Sequence, residues 1–205
     1  VTGDLPVQTI AEEDEWRARV YTLLGRMLAE PPSEELLGVV RGLSGDDSPL
    51  GKALSALGAV ARDTNLEQAR AEYAALFVGM VQGELQPFGS YYLTGFLHEK
   101  PLAELRTDLA RLGIARAEGI VESEDHIATL CECMAGLILG EFGASDDAPE
   151  NPASQQQFFD KHIASWAPRF FEDLQGAKAA RLYMPLGAVG AVFLEIETQA
   201  FAMAA

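Results

Sequence analysis

From Trp16 to Ala200 the apolar residues of this chain recur three and four positions apart, and no segment sustains the strict alternation of a half-buried strand. A chain patterned in this way buries its apolar stripes by packing helix on helix. Trp16, Val20, Leu23, Leu24 and Met27 give a first apolar face, which Pro31-Pro32 ends. Leu36, Leu37, Val40 and Leu43 give a second, entered through Ser33 and closed by Gly45-Asp46-Asp47, and Leu54, Leu57 and Val60 suggest a third. Thr64 and Glu67 have capping-box spacing ahead of Leu66, Ala69, Tyr73, Leu76 and Phe77, before Gly79 and Gly83 interrupt.

Gln86 to Leu93 reads as a connector dense in aromatic residues. Pro101 suits a first helical position ahead of Leu102, Leu105, Leu109 and Leu112, with a stop at Gly113. Glu122-Ser123-Glu124-Asp125-His126 then opens a central helix carrying Ile127, Leu130, Cys131, Met134, Leu137 and Ile138. Ser123 is expected to cap it, with Glu124 and Asp125 in the first turn, where the helix dipole favours carboxylates. His126 has no such role: as a cation the dipole disfavours it, and as a neutral ring it adds little to a cap.

The Gly143 to Pro152 sequence is loop chemistry and the candidate hinge, at about 143–152, before the C-terminal helices. There Phe158, Phe159, His162 and Ile163 form a face, Pro168 marks a start near Ser165, and Leu186, Val189, Val192, Phe193 and Ile196 line the last helix. The small residues Gly187 and Gly190 suit close helix packing. The expected fold is therefore all-α, a single helical-bundle domain over 1–205.

Composition narrows the function. At 205 residues and 48% hydrophobic content the chain has material for a sizeable core, which argues against disorder. A net charge of -16, with only 15 lysines and arginines, lacks the basic stripe that phosphate neutralisation needs, so nucleic acid is excluded as a partner. An acidic surface suits a basic peptide instead. Cys131 and Cys133 leave one helix about 200° apart and cannot easily bridge or share a metal, which points to a reducing compartment. No secretory leader opens the chain, and its longest nearly apolar stretch, Leu182 to Leu194, is too short to span a bilayer; the expectation is a cytoplasmic protein without membrane insertion.

Catalytic chemistry is not apparent. The three histidines, His98, His126 and His162, are in no Glu-x-x-His motif, and the chain has no His-Glu-x-x-His, phosphate loop or Gly-x-Ser-x-Gly elbow. Asp125 and His126, as neighbours on a helix, point about 100° apart and cannot form a base and its orienter. No catalytic residue, metal or cofactor is assigned.

Four separated segments do carry a resemblance. They are Glu72-Tyr73-Ala74-Ala75-Leu76-Phe77-Val78-Gly79, Pro87-Phe88-Gly89-Ser90-Tyr91-Tyr92-Leu93, Glu124-Asp125-His126-Ile127, and Phe159 to Phe170 with its His162 and Trp166. In order and spacing, from about Trp16 to Phe193, they resemble the TorD/DmsD family of redox-enzyme maturation chaperones. Ser123 stands where that family often has Pro, and Tyr73 where it commonly has Trp.

The resemblance implies a TorD-like bundle of roughly nine to eleven helices. It also implies a cytoplasmic chaperone that binds the twin-arginine leader of a molybdopterin oxidoreductase and holds the precursor body until cofactor insertion and export. Tyr73, Leu76, Phe77, Phe88, Ser90, Tyr91, Tyr92, Glu124, Asp125 and His126 become the candidate peptide-binding residues: carboxylates for guanidinium groups beside an apolar groove with aromatic walls. Asp125→Ala is then expected to weaken leader binding with stability nearly unchanged. The alternatives are a chaperone of a non-exported, nitrate-reductase-type enzyme and a non-catalytic acidic scaffold, with a nucleotide hydrolase less favoured for want of a phosphate loop. The loop at 143–152 is long enough to permit a homodimer by exchange of the C-terminal helices.

Overall fold

The computed structural model describes residues 11–80, 82–115, 123–142 and 152–204, and these fold into ten α-helices with one π-helical turn and no strand. Four of them form the first half: α1 (Glu12–Ala29), α2 (Glu34–Arg41), α3 (Pro49–Arg62) and α4 (Leu66–Tyr73), the last running into the π turn at Ala74–Val78. Then follow α5 (Gly89–Thr94), α6 (Lys100–Arg111), α7 (Ile127–Leu139), α8 (Pro152–His162), α9 (Ala167–Gly176) and α10 (Tyr183–Ala204). The all-α expectation holds. Glu122 and the expected hinge at about 143–152, except Pro152 at the start of α8, lie outside the described residues.

Local chemistry sets most helix ends. Ser33 caps α2 by accepting from Leu36 N–H, and Glu12, Glu13, Asp14 and Glu15 crowd the first turn of α1, where the dipole favours them. The expected Thr64/Glu67 capping box is shifted by one residue: Asn65 accepts from Gln68 N–H, and the Gln68 side chain accepts from Asn65 N–H. The connector at 86–93 is also partly helical, with α5 beginning at Gly89.

The core forms where α1 packs along α7, and where α10 packs on α9 and α3. Gly187 and Gly190 act as their spacing suggests: a Cβ at 190 would overlap the Phe171 ring, and one at 187 would lie 2.9 Å from the Phe171 carbonyl oxygen. Removing those side chains lets α10 settle directly on α9. A bidentate ion pair joins α1 to α10, Arg17 Nε to Glu197 Oε1 at 2.7 Å and Nη2 to Oε2 at 3.0 Å, with the Tyr21 hydroxyl donating to the same carboxylate.

One expectation about length needs correcting. The 21 residues Tyr183–Met203 form a helix long and apolar enough to cross a bilayer, because helical pattern continues past Leu194 through Glu195 and Glu197. Here it is a core helix. Tyr183, Leu186, Val189, Phe193 and Leu194 are buried against its neighbours, and Glu197 is ion-paired inside the protein.

A second carboxylate holds the entry to α10. Glu72, buried on α4, accepts from the backbone N–H groups of Arg181 (2.7 Å), Leu182 (3.1 Å) and Tyr183 (2.8 Å), the orphan donors of that helix start. Glu84 does the same for Lys178 and Ala179. Glu72→Ala strands three donors where little water reaches them and is expected to cost about 3 kcal/mol. Urea denaturation beside the exposed control Glu67→Ala checks this; equal midpoints for the two variants would remove the clamp.

Candidate functional site

The segment at 87–94 and the segment at 123–127 lie 35 residues apart in sequence and form one structural unit. Gly89 N–H donates to Asp125 C=O and Ile127 N–H to Pro87 C=O, both at 2.9 Å, so Phe88 and His126 pair as a short antiparallel bridge. Their rings meet edge to face at 5.0 Å. At the centre is Asp125, which is 3% exposed. Its Oδ2 accepts from Ser90 N–H at 2.8 Å and its Oδ1 from the Ser123 hydroxyl at 2.6 Å.

This geometry changes the roles expected at the start of the central helix. Ser123 serves Asp125 rather than capping α7, and Glu124 and Asp125 precede the helix instead of forming its first turn. The cap is His126, whose Nδ1 accepts from Ala128 N–H at 3.1 Å. Burial holds its pKa down at about 4, against some opposition from the Asp125 charge, so the ring is neutral near pH 7 and has a lone pair to offer. A neutral imidazole is thus a sufficient N-cap.

Beneath this unit sits Trp166, whose Nε1–H donates to His162 C=O at 2.7 Å. A Cβ on Gly89 would lie 3.0 Å from that nitrogen, a contact so tight that the indole would have to give by a few tenths of an ångström. Tyr92 packs on Trp166 and Phe170 and donates its hydroxyl to Asp173. His162 Nε2 and Lys161 Nζ both contact Asp108 Oδ2; burial alone would raise that carboxyl, but these two partners hold it below its usual range. Three of the four motif segments thereby converge on one frame, with Asp108 of α6 joining them.

The remaining candidates lie elsewhere. Tyr73 and Leu76 are buried, Phe77 is half-buried, and Tyr73 and Phe77 stack on each other and on Tyr183 at the start of α10. The Tyr73 hydroxyl donates to the last carbonyls of α1, Leu28 and Ala29. These rings pack an internal joint where the end of α4 and the π turn meet the end of α1 and the start of α10. Ser90 and His126 are buried, Phe88 is half-buried, and Glu124 pairs with Arg106 at 2.8 Å.

What faces solvent is the far side of α5 and the turn after it. Tyr91, Leu93, Phe96 and Leu97 are 37, 45, 69 and 41% exposed, a density of large apolar side chains that water disfavours. The turn is tightly fixed: Gly95 has φ 83° and His98 φ 61°, with His98 N–H held by Ser90 Oγ and Phe96 N–H by Thr94 Oγ1. Beside Leu93 opens a small depression of about 90 Å³ lined by Glu104, Asp125 and Lys161 among others. Leu93, Phe96 and Leu97 are absent from the residues that sequence reasoning selected. Their signal was present, as apolar residues on either side of the helix-ending Gly95 that fit no periodic face.

Among the described residues no group of three or more His, Cys, Asp or Glu side chains is placed to hold a metal ion. Cys131 and Cys133 are buried and unbridged, with burial pushing both thiols up.

Fold and site together define a helical binding module that presents an apolar surface on a rigid frame. The family model described as the nitrate reductase delta subunit matches residues 44–172, a span holding all four motif segments, and the chain belongs to this family. A chaperone protein TorD of Vibrio atlanticus (strain LGP32) is 25% identical over 204 residues, 91% of this chain and 94% of the relative. Another from Vibrio cholerae serotype O1 (El Tor Inaba N16961) is 26% identical over 198 residues, covering 89% and 90%. The fold is shared with a crystal structure from Archaeoglobus fulgidus described as a redox enzyme maturation protein, at a TM-score of 0.55, 16% identity, and 94% and 99% coverage. By family the chain is a chaperone rather than an enzyme.

The internal engagement of Asp125 reverses one expectation. Asp125→Ala leaves Ser90 N–H buried without an acceptor and removes a charge-assisted bond, so it is expected to lower stability by about 2–4 kcal/mol. Thermal unfolding measures this, and an unchanged melting temperature would show that the lock is dispensable.

His126 adds a pH dependence. Its unfolded value is near 6.5 and its folded value about 4, so between these the unfolded chain takes up the proton first. The stability from the neutral ring is complete above pH 6.5 and is lost as pH falls toward 4. His126→Asn keeps an acceptor for Ala128 N–H without titrating. Denaturant midpoints across that window should fall less in the variant, by up to about 3 kcal/mol in unfolding free energy; parallel profiles would exclude His126 as the source.

Proposed function

We propose that this chaperone acts in the cytoplasm on the precursor of a molybdopterin oxidoreductase, binding its twin-arginine leader and holding the precursor until the cofactor is inserted. The observation that carries this reading is the exposed apolar row at Tyr91, Leu93, Phe96 and Leu97, set on a clamped frame. A leader of this type has a basic start and an apolar segment, so it needs a greasy surface next to carboxylates. Glu104 and Glu124 supply them at the rim, each now paired with a surface cation, Lys100 and Arg106, that an incoming guanidinium displaces at little cost. Tyr91, Tyr92 and Glu124 remain in the peptide site. Phe88, Ser90, Asp125 and His126 position it, and Tyr73, Leu76 and Phe77 belong to the core.

A second reading has support from the description of the matching family as the nitrate reductase delta subunit. On that reading the client is a non-exported enzyme whose N-terminal segment lacks paired arginines. Both readings use the same apolar row, and the basic start separates them. A homodimer formed by exchange of α8 to α10 remains a proposal of loop length alone; light scattering at several concentrations tests it.

Phe96→Ala with Leu97→Ala is expected to weaken binding of a synthetic twin-arginine leader at least about tenfold, since each side chain contributes roughly 1.5–3 kcal/mol when fully buried. Helicity and melting temperature should hold, because both residues are exposed. Calorimetric titration decides: equal affinity for the variant and the parent would remove the row from the site. Equal affinity for leaders with Arg-Arg and Gln-Gln would favour the second reading.

A further inference from the structure

An apolar groove of about 480 Å³ runs between α1, α2 and the start of α3, apart from the α5 surface and sharing no lining residue with it. Val20, Leu36 and Leu54 are buried in its floor, while Trp16 and Val39, on opposite walls, are 49% and 58% exposed. Its charge is the unexpected part. In a chain of net charge -16, the charged residues of the groove lining, among the described residues, are two arginines, Arg19 and Arg26.

Both arginines are exposed, and Arg19 reaches Glu15 at 3.0 Å in a surface pair that contributes little. They lie seven residues apart on α1, two turns or about 10.5 Å along the helix. The groove wall from Trp16 to Arg26 spans about 15 Å, the length of three helical turns. A basic leader is repelled here. A helix with an apolar face and two carboxylates seven residues apart matches both the length and the charges.

The geometry points to a second docking site, in which the α1–α2 groove receives an acidic amphipathic helix of about three turns from a partner protein. Trp16 and Val39 close over the apolar face of that helix, and Arg19 and Arg26 meet its carboxylates. The site does not depend on the leader reading, since its residues and the sign of its charge are both different.

The test uses three synthetic helices with one apolar face, differing only at the two flanking positions: Glu, Gln or Lys. Trp16 reports occupancy, because Trp166, the other tryptophan, is buried. The Glu peptide is expected to blue-shift Trp16 emission and to bind at least tenfold tighter than the Lys peptide. Arg19→Glu with Arg26→Glu should reverse that order, with helicity retained because both side chains are exposed. Val39→Asp, which leaves both arginines in place, should weaken the Glu peptide at least tenfold.

Equal binding of the three peptides, no change in the double variant, or a Trp16 shift produced by the twin-arginine leader would each overturn the proposal. So would a concentration-dependent dimer abolished by Val39→Asp, which would make the groove a contact between copies of this chain.

Discussion

The Asp125 carboxylate is the interaction on which the exposed surface depends. By accepting Ser90 N–H and the Ser123 hydroxyl it fastens the α5 segment to the start of α7, the helix against which α1 packs. A hydrogen bond to a buried carboxylate is stronger than a neutral one and leaves a donor stranded when lost. The short bridge between Phe88 and His126, the close seat of Gly89 on Trp166, and the turn that projects Phe96 and Leu97 all follow from that fastening. A segment of six helical residues has too little length to hold a defined position on its own.

The same device recurs. Glu72 and Glu84 gather five backbone N–H groups along the link between α9 and α10, and Glu197 joins α10 to α1 through Arg17 and Tyr21. Part of the acidic excess of this chain is therefore internal framework rather than surface charge. Backbone N–H groups in irregular links lack the carbonyl acceptors that a helix supplies, and a carboxylate with two oxygens serves two or three of them at once. An all-helical fold with short joints gains from such clamps at the points where its periodic bonding stops.

Helix identity was legible from periodicity because packing on one face imposes it: the faces of α1, α2, α3, α6 and α7 carry the residues the spacing picks out, and Gly187 and Gly190 meet α9 as small residues should. Joints were less legible. Ser123 is the expected cap and His126 has no such role by sequence; the reversal rests on where Ser90 N–H lies, which no residue spacing encodes. The Asn65/Gln68 box is offset by one from Thr64/Glu67 for a similar reason, since either pair satisfies the rule. The motif residues Tyr73, Leu76 and Asp125 were recognisable as important, but a sequence does not say whether a residue is important for contact or for holding the contact surface. Burial separates them: Asp125 lies beneath the segment it fastens, and Tyr73 and Leu76 lie in the core.

The two outward surfaces differ in the charge that borders them, and this bears on how a chaperone holds a large client. The α5 row is rimmed by carboxylates, and the groove of α1 and α2 by arginines. One segment of a given charge therefore cannot serve both. If both proposals hold, a client with a basic apolar leader and an acidic amphipathic helix would engage the two sites together, and the first contact would raise the effective concentration of the second to the millimolar range for a short flexible connection. Each contact then needs only modest strength of its own. Release would then follow when either segment is withdrawn, because the remaining contact falls back to its weak single-site affinity. A holdase built on that logic retains unfinished precursors and lets finished ones go without an energy source.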